Sequence, residues 1–331
     1  MKVAVTGGSG VVGGALVRHL IDAGHDVSAL ARSPTATERV ASMGAIPVQG
    51  DVLDATSLMS LVRGAEVVFH VAGVNDMCTR DPELMWRVNV EGTRAVMTAC
   101  RSEGVGRLVH TSSAVTVGEA NGVVADENTV HRGFFLSEYE RSKHAAERVL
   151  LNEADGLDVV SVNPSSVQGP GRATGTGRIF LAAANGRLPL LFDTWVSLVD
   201  IDDCARGHLL AAERGVTGER YLLSGATLSM KEAVRLLSRA TGRRLAPRYV
   251  TPVAVKAVAA AVEWGYQLAR RQPPFCREAA RVMVHGHRYD GSMAARELGL
   301  VYTPIEVTIR RSLDWFEDRG LLNPGHDRAI Q

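Results

Sequence analysis

Cysteine, lysine and long apolar runs are all scarce in this chain of 331 residues. The four cysteines, Cys78, Cys100, Cys204 and Cys276, lie far apart and form no CxxC pair. Their spacing argues against a disulfide framework or a zinc site, and it predicts a reducing, cytoplasmic location. No stretch approaches the roughly 18 consecutive apolar residues of a membrane-spanning helix, so we expect no transmembrane segment.

The sequence also lacks an excess of positive or negative charge. The 37 basic residues are nearly balanced by 36 acidic ones, which gives a formal net charge of +1. Nucleic-acid binding needs a clustered positive excess, so we expect no nucleic-acid partner. The hydrophobic content of 46% is enough for one large domain or two smaller ones with a buried core.

Strand-like and helix-like segments alternate through the first half of the chain. The expected strands are Lys2 to Thr6, Val27 to Leu30, Ile46 to Gln49, Val67 to Val71, Leu108 to Thr111 and Val159 to Asn163. The expected helices are Ala15 to Ala23, 54–63, 81–103 and 137–154. This alternation predicts an α/β fold with a doubly wound parallel sheet of the Rossmann type. Ligands bind such sheets at the carboxyl ends of the strands.

The alternation weakens after Pro164, where a glycine-rich stretch at 169–177 suggests a loop or a domain crossing. Two later strands, near 198–201 and 221–223, are followed by helical patterns over 231–241, 252–270 and 305–319. We therefore predict a smaller interleaved C-terminal lobe that binds the substrate. Residues 1–163 and 199–224 are assigned to the dinucleotide-binding domain, and 164–198 and 225–331 to the lobe.

A glycine-rich turn follows the first strand and opens a helix. Its glycines let the backbone turn tightly and approach a pyrophosphate, which the helix N-terminus stabilises through its amides and dipole. An ordinary strand-to-helix turn is the alternative, but the position in the first βα unit favours dinucleotide binding. The predicted pyrophosphate-binding residues are Gly7, Ser9, Gly10, Val11, Val12 and Gly13.

Two arginines follow the second strand, where the type of dinucleotide is decided. NAD sites usually present a carboxylate there to the ribose 2′-hydroxyl, whereas NADP sites present arginine. Arg32 follows the strand directly, and Arg39 lies slightly further on. Because a guanidinium suits a 2′-phosphate, we expect NADP(H). NAD(H) is the alternative if both arginines are merely solvated surface residues.

The ends of the next two strands are expected beside the adenosine. Asp51 and Val52 end the third strand, where a carboxylate can accept a hydrogen bond from the adenine amine. Val71, Ala72 and Gly73 end the fourth strand. Ala72 and Gly73 are small enough for the ribose to lie close.

A tyrosine and a lysine four residues apart form a candidate acid–base pair. Tyr139 and Lys143 share one face of a predicted helix. A free phenol has a pKa of about 10. We expect the lysine and a cationic nicotinamide to lower that pKa. Ser113, just after the fifth strand, can hydrogen-bond the substrate oxygen as charge develops on it. The alternative is a surface tyrosine packed along a lysine stem.

Metal-binding spacing is missing among the histidines, which show no HExxH pattern. We therefore expect no metal site, and we predict structural roles for these side chains. They are His70, His110, His208, His285 and His287.

Several motifs together resemble a known family. TGGSGVVG, GDVLD, HVAG, RVNVEGT, TSSA, YERSK, NPSSVQGPG and VDIDDCARGHLLA occur in its order. The chain resembles an extended short-chain dehydrogenase/reductase of the NAD(P)-dependent epimerase/dehydratase group. Its closest likeness is to dihydroflavonol reductases, 3β-hydroxysteroid dehydrogenases and hopanoid-associated epimerase-like proteins.

The resemblance implies further site residues and a mode of assembly. Asn89 would order the active site, and the backbone of Pro164 and Val167 would line the nicotinamide pocket. A homodimer would form through the helices at 81–103 and 137–154. Nucleotide-sugar epimerases usually carry an arginine where this chain has Val196, although Arg172, Arg178 or Arg288 could substitute for it.

Three functions follow from these patterns. The leading prediction is an NAD(P)-dependent oxidoreductase that interconverts a carbonyl and a secondary alcohol on a small, rather apolar substrate. The alternatives are a nucleotide-sugar epimerase or dehydratase and a non-catalytic dinucleotide sensor. The apolar helix at 252–270 is expected to cover the substrate lobe, with peripheral membrane contact as the alternative. The loop from Asp126 to Leu136, with Phe134, Phe135 and Leu136, is expected to border the substrate and to favour an apolar ligand. The alternative is a loop that packs its own aromatic side chains into the core.

Overall fold

The computed structural model describes residues 1–188 and 190–323. The strands are β1 (Lys2–Thr6), β2 (Asp26–Ala31), β3 (Ile46–Gln49), β4 (Val67–His70), β5 (Arg107–Thr111), β6 (Val159–Pro164), β7 (Ser166–Gln168), β8 (Leu190–Phe192), β9 (Trp195–Asp200), β10 (Arg220–Leu223), β11 (Ala226–Ser229) and β12 (Arg248–Val250). The helices are α1 (Val11–Asp22), α2 (Pro34–Ala41), α3 (Ala55–Val62), α4 (Pro82–Trp86), α5 (Gly92–Glu103), α6 (Glu138–Asn152), α7 (Gly177–Ala184), α8 (Ile201–Arg214), α9 (Met230–Thr241), α10 (Pro252–Leu268), α11 (Arg277–His285) and α12 (Ile305–Asp318).

Seven strands form the central sheet in the order β3-β2-β1-β4-β5-β6-β10. Every neighbouring pair in this sheet is parallel. The strand order reverses between β1 and β4, which creates the switch point where such sheets bind ligands. The predicted doubly wound parallel sheet is confirmed.

Helices cover both faces of the central sheet. This explains why β1 is apolar from Val3 to Val5. Val3 and Val5 face the core built with α1 and α8, whereas Ala4 faces the core built with α3, α5 and α6. Successive side chains of a strand point to opposite faces. A strand covered on both sides therefore needs a continuous apolar run rather than an alternating one.

A smaller part of the structure is built from later segments of the chain. Strands β7, β9 and β11 form a three-stranded sheet, and β8 pairs with β12. Helices α7, α9 and α12 pack around Phe180, Leu237, Leu313 and Phe316. The extra C-terminal unit is thus confirmed, while the exact division at 163/164, 198/199 and 224/225 stays a prediction.

The structure differs from the expected elements in several places. The expected helix over 81–103 is divided into α4, a π-helical turn at Arg87–Glu91 and α5. Ile201, expected to end a strand, begins α8 because the Asp200 side chain accepts a hydrogen bond from the Asp202 amide. Sequence reasoning missed α2, α7 and α11, which have only eight or nine residues, and α8, which follows β9 without a break.

The cysteines correct another expectation. Cys78 and Cys276 form a disulfide although 198 residues separate them in the sequence. The expectation of no disulfide is wrong for this pair because folding brings the loop after β4 against the N-terminus of α11. Cys100 and Cys204 are free and buried.

No helix within residues 1–188 and 190–323 is long and apolar enough to cross a membrane.

Candidate active site

A cleft of about 510 Å³ lies at the carboxyl ends of the central strands. It brings many of the predicted site residues together. These are Gly7, Gly10, Val11, Val12, Gly13, Val71, Gly73, Ser113, Tyr139, Lys143, Pro164 and Val167. The described walls of the cleft do not include Ser9, Arg32, Arg39, Asp51, Val52, Ala72 or Asn89. The cleft thus connects the glycine turn to the candidate acid–base pair.

The glycine turn needs glycine for steric reasons. Gly7 has a φ of +74°, and a Cβ at this position would lie 2.6 Å from the Ala72 amide nitrogen. A Cβ at Gly13 would lie 2.2 Å from the Gly7 carbonyl oxygen. Helix α1 begins at Val11, and no described side chain caps its N-terminus. The turn therefore presents bare backbone and a positive helix end to the cleft, which suits an anionic group.

Helix α6 and the end of β5 place three polar side chains side by side. Ser137 begins α6 by accepting a hydrogen bond from the Glu140 amide. Tyr139 and Lys143 follow on the buried side of the helix. Ser113 comes just after β5 and is hydrogen-bonded to Tyr139. The Lys143 ammonium donates to the Thr111 carbonyl at 2.6 Å.

Burial dominates the electrostatics of this group. It raises the pKa of Tyr139 above its usual value, while the hydrogen bond with Ser113 and the charge of Arg172 act in the opposite direction. Burial lowers the pKa of Lys143 to about 8, partly offset by the negative charge of Glu147. Without a nicotinamide the net shift of the Tyr139 pKa is therefore upward, and the expected lowering by the lysine and a cationic nicotinamide together stays a prediction. The phenol is only 8% exposed, so losing water outweighs its polar neighbours.

Asn89 lies behind the cleft on the π-helical turn. Its Oδ1 accepts a hydrogen bond from the Val74 amide at 2.7 Å, and its Nδ2 donates to the Val74 carbonyl at 3.0 Å. The same Nδ2 also lies 2.9 Å from the Ser142 hydroxyl of α6. A Cβ at Gly73 would lie 3.2 Å from Asn89 Oδ1. Asn89 thus fixes the loop after β4 against the helix that carries Tyr139.

The two arginines expected near a 2′-phosphate lie at the surface beyond the second strand. Arg32 follows β2 and is 77% exposed, with Nη1 3.8 Å from the Asp51 carboxylate. Arg39 lies in the last turn of α2. Asp51 accepts a hydrogen bond from the Leu53 amide at 3.0 Å, so its position is set by its own loop.

Sequence reasoning missed much of the far wall of the cleft. This wall is mostly apolar and comes from segments distant in sequence. It includes Ile179, Phe192, Trp195, Val196, Met230, Val282, Met283, His287 and Tyr289. Only the tertiary fold shows which of many apolar residues face the cleft, so no motif marks them. The loop expected to border the substrate does not do so, because Phe134 and Phe135 lie outside these walls and pack near Arg132 and His131 instead.

Doubly wound sheets of this type bind dinucleotides at the switch point. Here a buried phenol and an ammonium lie in the same cleft, which indicates hydride-transfer chemistry. The protein is an NAD(P)-dependent enzyme of the class that acts on alcohol and carbonyl groups. The model of the NAD dependent epimerase/dehydratase family matches residues 3–224. The chain belongs to this family, as its motifs predict.

Individual relatives agree with this assignment. A 2-alkyl-3-oxoalkanoate reductase of Stenotrophomonas maltophilia is 34% identical over 330 residues, covering 94% of this chain and 98% of the relative. Sterol demethylase protein B of Methylococcus capsulatus is 33% identical over 331 residues, covering 97% and 100%. A crystal structure of a nucleoside-diphosphate-sugar epimerase from Pseudomonas aeruginosa superposes with a TM-score of 0.79 at 27% identity, covering 98% and 99%.

Proposed function

We propose that the protein is an NADP(H)-dependent oxidoreductase that interconverts a ketone and a secondary alcohol on a small, largely apolar molecule. The observation that carries this proposal is the single cleft that joins the glycine turn, the pair Tyr139 and Lys143, and an apolar far wall. Each of these three parts supports one part of the reaction.

The residues around the glycine turn fit a dinucleotide. Side chains at Gly7 and Gly13 would collide with backbone atoms, so the cradle stays open only with glycine. These glycines and the amides at the start of α1 would hold the pyrophosphate, and Lys143 would hold the nicotinamide ribose. When bound, the nicotinamide supplies or accepts the hydride.

Tyr139 is the proposed proton donor and acceptor. Because its pKa is raised by burial, the phenol is protonated at neutral pH, which is the form needed to protonate a carbonyl oxygen. Ser113, hydrogen-bonded to Tyr139, would hold the same oxygen as negative charge develops on it. The cationic Lys143 would stabilise the phenolate left after the proton has moved.

The chemistry of the far wall supports an apolar substrate. Phe192, Val196 and Met283 are among its side chains, and Val196 stands where related sugar-nucleotide enzymes usually have an arginine. Two relatives also have names that refer to sterols and to 2-alkyl-3-oxoalkanoates, both largely hydrocarbon molecules with few oxygens. We propose a substrate of this chemical kind, without assigning either compound.

The preference for NADP(H) rests on Arg32 and Arg39. Both follow β2, where the 2′-position of the adenosine ribose is read in this type of fold. Arg32 is paired only loosely with Asp51, at 3.8 Å, so its guanidinium can turn to a phosphate. Asp51 itself would lie beside the adenine.

A nucleotide-sugar epimerase or dehydratase is the second candidate. The observation that favours it is Arg172, which lines the cleft and whose buried Nε has no hydrogen-bond partner among the described residues. Such a guanidinium could bind the diphosphate of a sugar nucleotide. The two candidates differ in cofactor use, since an epimerase restores its cofactor within each turnover.

The deciding experiment is an absorbance assay with a panel of ketones, sterols and sugar nucleotides, run with NADPH and NADH. We expect net oxidation of NADPH with an apolar ketone. Tyr139→Phe should lower that rate by about 10²- to 10⁴-fold. The surface variant Tyr266→Phe serves as the matched control. Retained activity in Tyr139→Phe contradicts the proposed proton donor, and turnover of a sugar nucleotide without net absorbance change supports the second candidate.

Helix α10 packs on the smaller unit through Val255 and Ala259, as expected for a cover of the substrate lobe, and peripheral membrane contact through its exposed face is the alternative that we propose to test. Val253, Val258, Trp264 and Leu268 are exposed on it, and Trp264 is 66% exposed. Arg270 and Arg271 follow the helix and are exposed, which favours an anionic lipid surface. We expect the full chain to sediment with anionic vesicles at low salt and Trp264→Ser to sediment less. An absence of sedimentation of the unaltered chain would refute this contact.

The location and assembly of the protein also stay proposals. A cytoplasmic location stays a prediction, but the Cys78–Cys276 disulfide removes the cysteine argument for it. We propose that the enzyme dimerises through α5 and α6. Light scattering tests the dimer directly, and a monomer at micromolar concentration would refute it.

A further inference from the structure

A buried carboxylate and two histidines meet beside the substrate cleft. Glu119 lies in the loop after the 3₁₀ turn Ala114–Val117, whereas His285 ends α11 and His287 follows it. Their side chains are only 1%, 8% and 13% exposed. Glu119 Oε1 lies 2.6 Å from His287 Nδ1 and 3.3 Å from His285 Nε2. Potential ligand atoms of all three residues lie within 4.8 Å of one another.

The hydrogen bonds of this cluster leave buried polar atoms unmatched. The second carboxylate oxygen of Glu119, Oε2, is buried and has no hydrogen-bond partner among the described residues. The same is true of His287 Nε2. Buried acceptors and imidazole nitrogens without partners are rare in native proteins because their desolvation is not compensated. Such atoms are the ones that a metal ion can satisfy.

The charge around the cluster also favours a cation. Glu140 is buried nearby and forms an ion pair with Arg132. Arg132 Nη1 also donates to the Glu119 backbone carbonyl at 3.1 Å. The carboxyl groups of Glu119 and Glu140 thus lie in one buried region near a single guanidinium.

We propose that Glu119, His285 and His287 bind one divalent transition-metal ion, with Zn²⁺ the best match to two imidazoles and a carboxylate. Zinc binds such ligands at about 2.0–2.2 Å, which places the ligand atoms of a tetrahedral site roughly 3.4 Å apart. The distances from Glu119 Oε1 to His287 Nδ1 and His285 Nε2, 2.6 and 3.3 Å, are shorter than this spacing, so the side chains would separate to admit the ion. Three protein ligands leave the fourth position for water.

The position of the cluster indicates a structural role. Asn121 Nδ2 donates to the His285 carbonyl at 2.9 Å, and Ala125 forms a bridge with Tyr289. The ion would thus join the loop of Glu119 to the segment that follows α11. Because His287 and Tyr289 line the cleft, the metal would fix part of the substrate wall. This inference does not depend on the proposed reaction.

The test is metal binding by the untagged full chain. The protein is stripped with a chelator, dialysed against Co²⁺ or Zn²⁺, and analysed for bound metal by mass spectrometry and visible absorption. We expect one ion per chain and the absorption bands of tetrahedral Co²⁺. Glu119→Gln and His285→Gln should weaken binding at least about tenfold. His25→Gln, in the turn between α1 and β2, is the matched control.

X-ray absorption on the zinc-loaded unaltered protein provides a measurement that does not depend on the folding of variants. We expect nitrogen and oxygen ligands with two imidazoles in the first coordination shell. Failure to retain stoichiometric metal would overturn the proposal and leave the cluster as a buried hydrogen-bonded group. Equal affinity in the control and in both ligand variants would also overturn it.

Discussion

Removing the disulfide between Cys78 and Cys276 should destabilise the protein substantially. The bond closes a loop of 198 residues. In the chain-entropy description, closing a loop of this size restricts the unfolded state by about 5 kcal/mol at 25 °C. Disulfides commonly deliver less than this limit, so we expect Cys78→Ser to lower the free energy of unfolding by about 2–5 kcal/mol.

The assay is urea denaturation of the oxidised protein, the protein with a thiol reductant, and Cys78→Ser under both conditions. Reductant should move the midpoint of the unaltered protein to that of the variant. It should leave the variant itself unchanged, which controls for effects of the reductant elsewhere. Coincident midpoints for the oxidised protein and Cys78→Ser would refute the reasoning.

The same bond should affect cofactor binding. Cys78 follows Gly73 and Val74, which lie along the cleft, and Cys276 directly precedes α11, which carries Val282 and Met283. Reduction of the disulfide should therefore loosen both segments of the cleft wall that it joins. We expect weaker dinucleotide binding in Cys78→Ser, measured by fluorescence titration. Unchanged affinity would show that the other contacts of the loop are sufficient.

Three further predictions concern the proposed site. In binding titrations, Arg32→Ala should lower the affinity for NADPH far more than the affinity for NADH. The control variant Arg239→Ala, in the smaller unit, should change neither affinity. Gly13→Ala should abolish dinucleotide binding because its Cβ would lie 2.2 Å from a backbone oxygen. Gly265→Ala, whose Cβ meets no atom within 4 Å, should instead raise helix stability by up to about 1 kcal/mol. The kcat/KM for ketone reduction should fall above about pH 8 as Lys143 loses its proton.

Each of these predictions has a result that contradicts it. Equal losses for both dinucleotides in Arg32→Ala would remove the argument for a 2′-phosphate. Binding by a folded Gly13→Ala protein would show that the turn can open further. A rate that stays level well above pH 8, with the fold intact by circular dichroism, would mean that the charge of Lys143 is not needed.

Short sequence patterns predicted the glycine turn and the pair Tyr139 and Lys143, because neighbouring residues alone determine the local structure of both. The apolar run of β1 and the glycines after it need only their own neighbours to be recognised. The spacing of Tyr139 and Lys143 likewise follows from the helical period. Their common cleft follows in turn from the carboxyl edge of a parallel sheet.

Properties that depend on burial or on distant contacts could not be read in this way. The raised pKa of Tyr139 comes from desolvation, which is a property of everything packed around the phenol. The pairing of Cys78 with Cys276 depends on how the lobe meets the loop after β4. The contact of Glu119 with His287 spans 168 residues for the same reason. No periodicity in the sequence records such contacts.

The last strand of the central sheet has a consequence for synthesis of the protein. Strand β10 pairs with β6, and α8 covers the sheet face next to α1. Both elements come after the segment that contains β7, β8 and β9. A growing chain that has only reached residue 163 therefore exposes one sheet edge and one apolar face. We expect the unpaired β6 edge and the uncovered sheet face to stay exposed until α8 and β10 have been synthesised, which favours binding of a chaperone during synthesis.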